Sequence, residues 1–190
     1  MQIPSKSDIS NSSVPQSAQV MNTTDMNAHE NDQYLTFMMA GEEYGVDILC
    51  VQEIRGWDSA TPIPNAPPHV KGVINLRGTI VPIIDLRQCF NMPAISYTPL
   101  TVVIVLKVQT SSGSRIMGIV VDAVSDVYAL AASDMRSVPD LGNAANVEFI
   151  RSLVSVNDKM IILLDIDKLL VLDQVPALVD GAFTDSSISG

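Results

Sequence analysis

Two aspartates, Asp85 and Asp165, close matching apolar runs, "IVPIIDL" and "MIILLDI". Carboxylates presented at equivalent places by two copies of one unit can share a proton, as in aspartic proteases. That chemistry needs small residues after each aspartate, so that water and substrate can approach. Here the contexts are "DLR" and "DID", with bulky side chains in those places. The favoured reading is that each aspartate is the N-cap of a short helix, Asp85 ahead of "LRQCF" and Asp165 ahead of "IDKLL". A hydrolase using Asp85 and Asp165 stays as the remote alternative. Other reactive residue types are sparse. His29 lies in a polar flank, and His69 follows Pro67 and Pro68 with no neighbour at metal-ligand spacing. Cys50 and Cys89 are too far apart in sequence for a metal knuckle or a redox pair and read as packed thiols. Neither glycine-rich phosphate loop occurs. The expectation is a protein that is not an enzyme, without metal or cofactor.

The chain that would carry such residues has 190 of them, enough for one ordinary domain or two small ones sharing a core. With 47% apolar residues but only four Phe, four Tyr and one Trp, its core must be built of Val, Ile and Leu, which favours strands. The formal charge of −10 is unevenly placed. Asp8, Asp25, Glu30, Asp32, Asp173, Asp180 and Asp185 lie in the flanks against Lys6 alone, leaving fourteen of 21 acids and ten of 11 bases between them. The middle is therefore only mildly acidic. No Lys/Arg run occurs, which argues against nucleic acid and against anionic lipid. No signal-like or membrane-spanning segment is found, so a cytoplasmic protein without direct membrane insertion is expected. Residues 1–32 and 173–190 are polar and lack a sustained apolar period, the composition of disordered tails around a folded region 33–172.

Within that region, turn signals at Gly41, Gly56, Gly78, Gly113 and Asn157-Asp158 separate short runs such as "TVVIVLKV" and "KMIILL", predicting a mainly β chain of hairpins. "YGVDILCVQEI" from 44 and "MGIVVDAVSDV" from 117 share one pattern, and "IVPIIDL" from 80 is matched by "MIILLDI" from 160. Two matches in the same order, at offsets of 73 and 80, point to a duplication. It predicts two small β-subdomains, about 33–92 and 93–172, divided in the stretch "NMPAISYTPL". The strands barely alternate apolar with polar, so both their faces must be buried. A barrel interior can bury one face, and a second packed barrel the other. Pro82, which cannot donate to a ladder, places its strand at a barrel edge or at a bulge.

Some residues are left over by a pure core reading. "VQEIRGW" (51–57) is mixed, a short helix or an irregular edge, and its counterpart "VSDVYAL" keeps the acid but no base. Arg77 stands at a hairpin turn where Gly, Asn or Asp is favoured, and the duplicate turn carries Asn157-Asp158. These residues alone leave Arg77 open between a binding role and simple exposure.

Three separated segments, "EEYGVDILCVQEIRGW", "VKGVINLRGTIVPIIDLR" and "GIVVDAVSDV", resemble the hallmark segments of the CheW-like family, the coupling proteins of bacterial chemotaxis. The resemblance runs from about Tyr34 to Leu170. It implies two SH3-like five-stranded β-barrel subdomains packed on a shared hydrophobic layer, with a few short helices. It also implies a non-enzymatic adaptor that couples the cytoplasmic tips of methyl-accepting chemoreceptors to the regulatory domain of the histidine kinase CheA, in membrane-associated receptor arrays. An equivalent adaptor of another chemosensory pathway, such as surface motility, is the alternative. Carried over by motif, Arg77 of "NLRG" is implicated in receptor coupling, as are Val51 and Glu53 of "VQEIRG". Ile54, Lys71 and Gly72 join them as neighbours. The hydrophobic barrel ends are expected to meet the kinase.

Overall fold

The structure is a computed structural model that describes residues 32–110, 113–139 and 147–172. The expected tails 1–32 and 173–190 lie outside the described residues, apart from Asp32. Among the described residues, eleven strands run in the order β1 (Asp32–Met39), β2 (Glu42–Asp47), β3 (Val51–Gly56), β4 (Val70–Leu76), β5 (Thr79–Asp85), β6 (Val102–Thr110), β7 (Gly113–Val121), β8 (Ala123–Leu130), β9 (Met135–Arg136), β10 (Ile150–Val156) and β11 (Lys159–Leu164). Two short helices follow the matched strands, α1 (Leu86–Cys89) after β5 and α2 (Ile166–Leu172) after β11. The mixed stretch after Cys50 is a strand, not a helix. It is an outermost strand of its sheet and carries a bulge between Val51 and Glu53.

The strands form two sheets, one ordered β3-β6-β7-β5-β4 and the other β8-β1-β2-β11-β10-β9. The sixth strand of the second sheet is the two-residue β9, which pairs with Leu153 and Val154. In the first sheet the same place is held by an isolated bridge between Thr61 and Val73. Strand order does not follow the divide expected near residue 92. Each sheet takes strands from both sides of it, because β2 pairs in parallel with β11 while β5 pairs in parallel with β7. The duplicated halves have exchanged hairpins.

The side chains show why the strands need not alternate in polarity. Val81, Ile83, Val103, Val105 and Val120 cluster inside the first sheet, and Tyr34, Leu130, Val154, Ile161 and Leu163 inside the second. The intervening residues, among them Leu35, Phe37, Ile84, Ile104, Leu106, Ile119 and Leu164, form a third cluster common to both sheets. In "TVVIVL", Val103 and Val105 thus turn inward while Ile104 and Leu106 enter the shared layer. Both faces are dry, as the oily pattern requires. Pro82 is not on an outermost strand, since β5 lies between β4 and β7. Its partner Val73 gives its N–H to Thr61 O (2.9 Å) and accepts from Thr61 N (2.8 Å), so the ladder asks nothing of Pro82 from that side. The bulge sits nearby on β4, between Val70 and Gly72. An ion pair from Arg87 Nη1 to Asp122 Oδ2 (2.6 Å) adds a polar tie, because the same oxygen accepts from Ala40 N (2.9 Å) and so joins α1, the β1–β2 turn and the β7–β8 crossing.

The exchange is packed tightly at two equivalent glycines. A Cβ on Gly45 of β2 would lie 2.7 Å from Leu163 Cδ2 on β11, and one on Gly118 of β7 would lie 2.5 Å from Ile83 Cδ1 on β5 and 2.9 Å from Val103 Cγ1. Gly45 and Gly118 are partners under the offset of 73, and Ile83 and Leu163 under the offset of 80. Each copy therefore leaves a gap that the other copy's strand fills. Gly118→Ala is expected to destabilise the protein by about 1–3 kcal/mol through overpacking. In urea unfolding, adding Ile83→Val should recover part of that loss, because it removes the colliding methyl. Strictly additive effects in the double-mutant cycle would contradict this packing.

Candidate functional site

The turn that joins β4 to β5 places both central residues in the left-handed region, Arg77 at φ 50° and Gly78 at φ 89°. This two-residue turn matches the twist of the hairpin and favours Asn-Gly at its centre. Asn75 Oδ1 accepts from Gly78 N at 2.7 Å and fixes it. In the duplicate hairpin the same positions are Asn157 (φ 49°) and Asp158 (φ 64°), both residue types that tolerate this conformation. Arginine does not tolerate it well, at a cost on the order of 1 kcal/mol. The side chain recovers little of that by contact. Arg77 Nη2 donates to Glu53 Oε2 at 2.9 Å, yet Arg77 remains 82% exposed, so the pair contributes under about 1 kcal/mol. Its effect is to aim the guanidinium.

Arg77 and Glu53 join the turn to the outermost strand β3 and line a shallow groove of about 200 Å³ with Gln52, Leu76, Thr79 and Ile116. Small-molecule sites begin at roughly 300 Å³ and are better enclosed. An open groove with one exposed cation, flanked by polar Gln52 and Thr79 and apolar Leu76 and Ile116, suits a protein partner.

Of the residues implicated by resemblance, the structure brings Arg77 and Glu53 together and places Ile54, 43% exposed, on the same strand. Val51 sits on that strand too, but half-buried against the shared layer. Lys71 and Gly72 lie at the opposite end of the hairpin and have structural duties there. A Cβ on Gly72, at φ 133°, would collide with the Thr61 carbonyl, so glycine is what allows residues 61 and 62 to cross β4. Lys71 Nζ lies 3.5 Å from Asp85 Oδ2 and 6.0 Å from the centre of the Tyr97 ring. The duplicate puts Arg151 in the place of Lys71, and its charge acts on Asp165. A cation here is thus part of the architecture.

Asp85 and Asp165 are helix caps, as their contexts predict. Asp85 Oδ1 accepts from Gln88 N (3.2 Å) and Asp165 Oδ1 from Lys168 N (3.1 Å). Their backbone N–H groups make equivalent bonds, to His69 O and Phe149 O at 2.7 and 2.8 Å. Beyond that they differ. Asp165 Oδ2 pairs with Lys168 Nζ at 3.0 Å. Burial pushes the Asp165 carboxyl up, but the hydrogen bonds and charge of Lys168, with Arg151 behind them, outweigh it and lower its pKa. Asp85, only 4% exposed, instead accepts from Tyr97 Oη at 2.7 Å. Burial first, then this bond and the charge of Asp85, raise the Tyr97 pKa and keep its hydroxyl a donor. Each aspartate is thus committed to partners of its own, Gln88, Tyr97 and Lys71 for Asp85 and Lys168 for Asp165. Tyr97, whose ring centre lies 4.7 Å from that of Trp57, is not marked by the sequence, where residues 91–100 read as a connecting stretch. No apolar period surrounds Tyr97 in "NMPAISYTPL", so no local signal marks it as facing inward.

Residues 33–174 match the family model of the CheW-like domain. The chain is 49% identical over 148 residues to the chemotaxis protein CheW of Klebsiella aerogenes, covering 78% of this chain and 86% of that protein. It is 38% identical to the chemotaxis protein CheW of Rhizobium meliloti, over 71% of this chain and 84% of that protein. Similarity extends to the protein FrzA of Myxococcus xanthus, 28% identical over 75% of this chain and 88% of that protein. The crystal structure of the scaffolding protein TtCheW from Thermoanaerobacter tengcongensis superposes with a TM-score of 0.66 at 29% identity, covering 73% of this chain and 92% of that one. With the duplicated, exchanged sheets and the strained arginine turn, these matches establish that the chain belongs to the CheW-like family.

Proposed function

We propose that the chain is a non-enzymatic adaptor that couples the cytoplasmic tips of chemoreceptors to the regulatory domain of the kinase CheA. The adaptor unit is residues 33–172, working in the cytoplasm at membrane-associated receptor arrays. The observation that carries this reading is Arg77. It is an exposed cation in a turn conformation that disfavours it, at a place where the duplicate turn uses Asn157. Stability alone gives no reason to keep arginine there. With Glu53 beside it, Ile54 next along the same outermost strand and Val51 anchoring that strand, it forms the receptor-facing edge. Lys71 and Gly72 support the base of the same hairpin.

A second surface follows from the duplication. The exposed large apolar residues include Ile54 and Ile80 (43% and 46% exposed) and, at the offsets of 73 and 80, Val127 and Met160 (44% and 55%). The copy that lacks the arginine retains the exposed apolar pair. The second copy, through Val127 and Met160, supplies the kinase-facing surface. An adaptor transmits a signal only if receptor and kinase bind it with different free energies in their signalling states, so two separate surfaces are the minimum requirement. The similarity to FrzA favours one second reading, the same coupling role in another chemosensory pathway.

Binding of the full chain to a receptor-tip fragment and to the kinase regulatory domain, singly and together, tests the proposal. Both are expected to bind, and simultaneously. Failure to bind either partner would sink the reading. Arg77→Ala is expected to weaken receptor binding about tenfold or more, about 1.4 kcal/mol, while leaving kinase affinity unchanged. Met160→Lys should do the reverse. Arg77→Asn separates function from stability: it should leave the unfolding free energy the same or raise it by up to about 1 kcal/mol, yet weaken receptor binding as the alanine does. A clear loss of stability would return Arg77 to a structural role.

A further inference from the structure

The segment between α1 and β6 crosses the first sheet without joining it. At one end, Met92 N donates to Arg87 O (2.8 Å) and Arg87 Nε to Pro93 O (3.3 Å). At the other, Thr98 N donates to Thr101 Oγ1 (2.9 Å), Thr101 N to Thr98 O (3.0 Å) and Trp57 N to Thr101 O (2.9 Å). Between these fastenings Ala94, Ile95 and Ser96 are exposed, and from Pro93 to Leu100 the one side chain that is not exposed is Tyr97. That residue reaches in to the cluster of Val81, Ile83, Val103, Val105 and Val120. Its hydroxyl donates to Asp85 Oδ2, its ring packs on Trp57, and Lys71 Nζ stands over the same ring.

We propose that residues 93–98 are a latch over the end of the first barrel, with Tyr97 as the bolt and Asp85 as its receiver, and that the latch opens as a local unit while both sheets stay folded. Three observations support a local opening. The segment contributes no strand pairing, so its release breaks no ladder. Its inward contact rests on a single side chain. Asp85 also keeps its other bonds when Tyr97 leaves, because Oδ1 still caps α1, the backbone N–H still meets His69 O, and Lys71 remains as counter-ion. The receiver is thus built independently of the bolt. At the duplicate aspartate, the corresponding oxygen is taken by Lys168 from the helix that Asp165 itself caps. The first copy alone devotes this oxygen to a distant segment, twelve residues along the chain. Ile95, 45% exposed, moves with the segment, so opening rearranges the apolar surface and uncovers Trp57. Segments of low local stability of this kind are the usual material of switching elements.

Native-state hydrogen exchange on the full chain tests the latch, with Trp57, the only tryptophan, as a second reporter. Tyr97→Phe, which keeps the ring and deletes the donor, is expected to speed exchange at Trp57, Thr98 and Thr101 about tenfold or more, the loss expected for a hydrogen bond to a carboxylate. Exchange at Ile104 and Ile119 in the sheet should not change, and acrylamide should quench Trp57 more efficiently. Unchanged exchange at Thr98 and Thr101 would overturn the assignment of Tyr97 as the bolt. Equal acceleration at Ile104 and Ile119 would overturn local opening, since it reports global destabilisation. Asp85→Asn retains a competent helix cap and keeps the test available if the Phe variant does not fold; it should give the same local pattern with a smaller change.

Discussion

The controlling constraint is that the central strands of both sheets must bury both of their faces. An ordinary two-sheet protein buries one face of each strand and leaves the other to water. Here β5, β6, β7 and β11 have no face to give to water, and a single small barrel has only its interior to offer them. The second face requires the other sheet, so neither half of the duplication reads as a self-sufficient fold. The exchange of hairpins meets this requirement directly. Each half lends a strand to the other's sheet, and the Gly45–Leu163 and Gly118–Ile83 contacts set how closely the lent strand lies. A side chain at either glycine would push apart the parallel pairs through which the halves are joined.

This constraint also explains why the candidate site is at a hairpin tip. A hairpin with both faces buried has its turn and its outer edge left for contact with other molecules. The β4–β5 hairpin is held at its base by Lys71, Asp85 and the close pass of Thr61 over Gly72. Its tip projects from a fixed base, so the strained turn at Arg77 is presented and not averaged away. A rigid frame makes a local cost at one residue worth keeping, because the frame holds the side chain in the geometry that the cost maintains.

Much of the fold was legible in the residues. Missing alternation in "TVVIVL" and "KMIILL" correctly implies two dry faces, and the offsets of 73 and 80 correctly identify equivalent strands. What they leave open is which copy of a strand pairs with which. A run of β-branched residues buried on both faces carries no mark of its neighbour, and duplicated strands are close to interchangeable as partners, so hairpin exchange is invisible to pattern. Pro82 misled for a related reason. Its missing donor signals a gap in the ladder, but β5 is an inner strand and the gap is not at a sheet edge. The candidate site was legible at Arg77 and Glu53, whose residue types the fold does not explain. Proximity between Arg77 and Glu53 was not, because it depends on how β3 curls toward β4. Tyr97 was missed because nothing local distinguishes a tyrosine that folds inward from one that faces water.

The duplication offers a way to separate architecture from function within one molecule. Where the two copies agree, the fold is the sufficient explanation: Asp85 and Asp165 cap helices, Lys71 and Arg151 supply cations near them, and Gly45 and Gly118 admit the crossing strands. Where the copies disagree, one fold tolerates two solutions and the choice must come from elsewhere. Arg77 against Asn157 is such a disagreement, since the turn favours the asparagine. The partner of the second carboxylate oxygen, Tyr97 for Asp85 and Lys168 for Asp165, is another. Both departures fall in the first copy and both bear on one hairpin, at its tip and at its base. A symmetric scaffold that must tell two partners apart has to break its own symmetry, and these are the places where it does so.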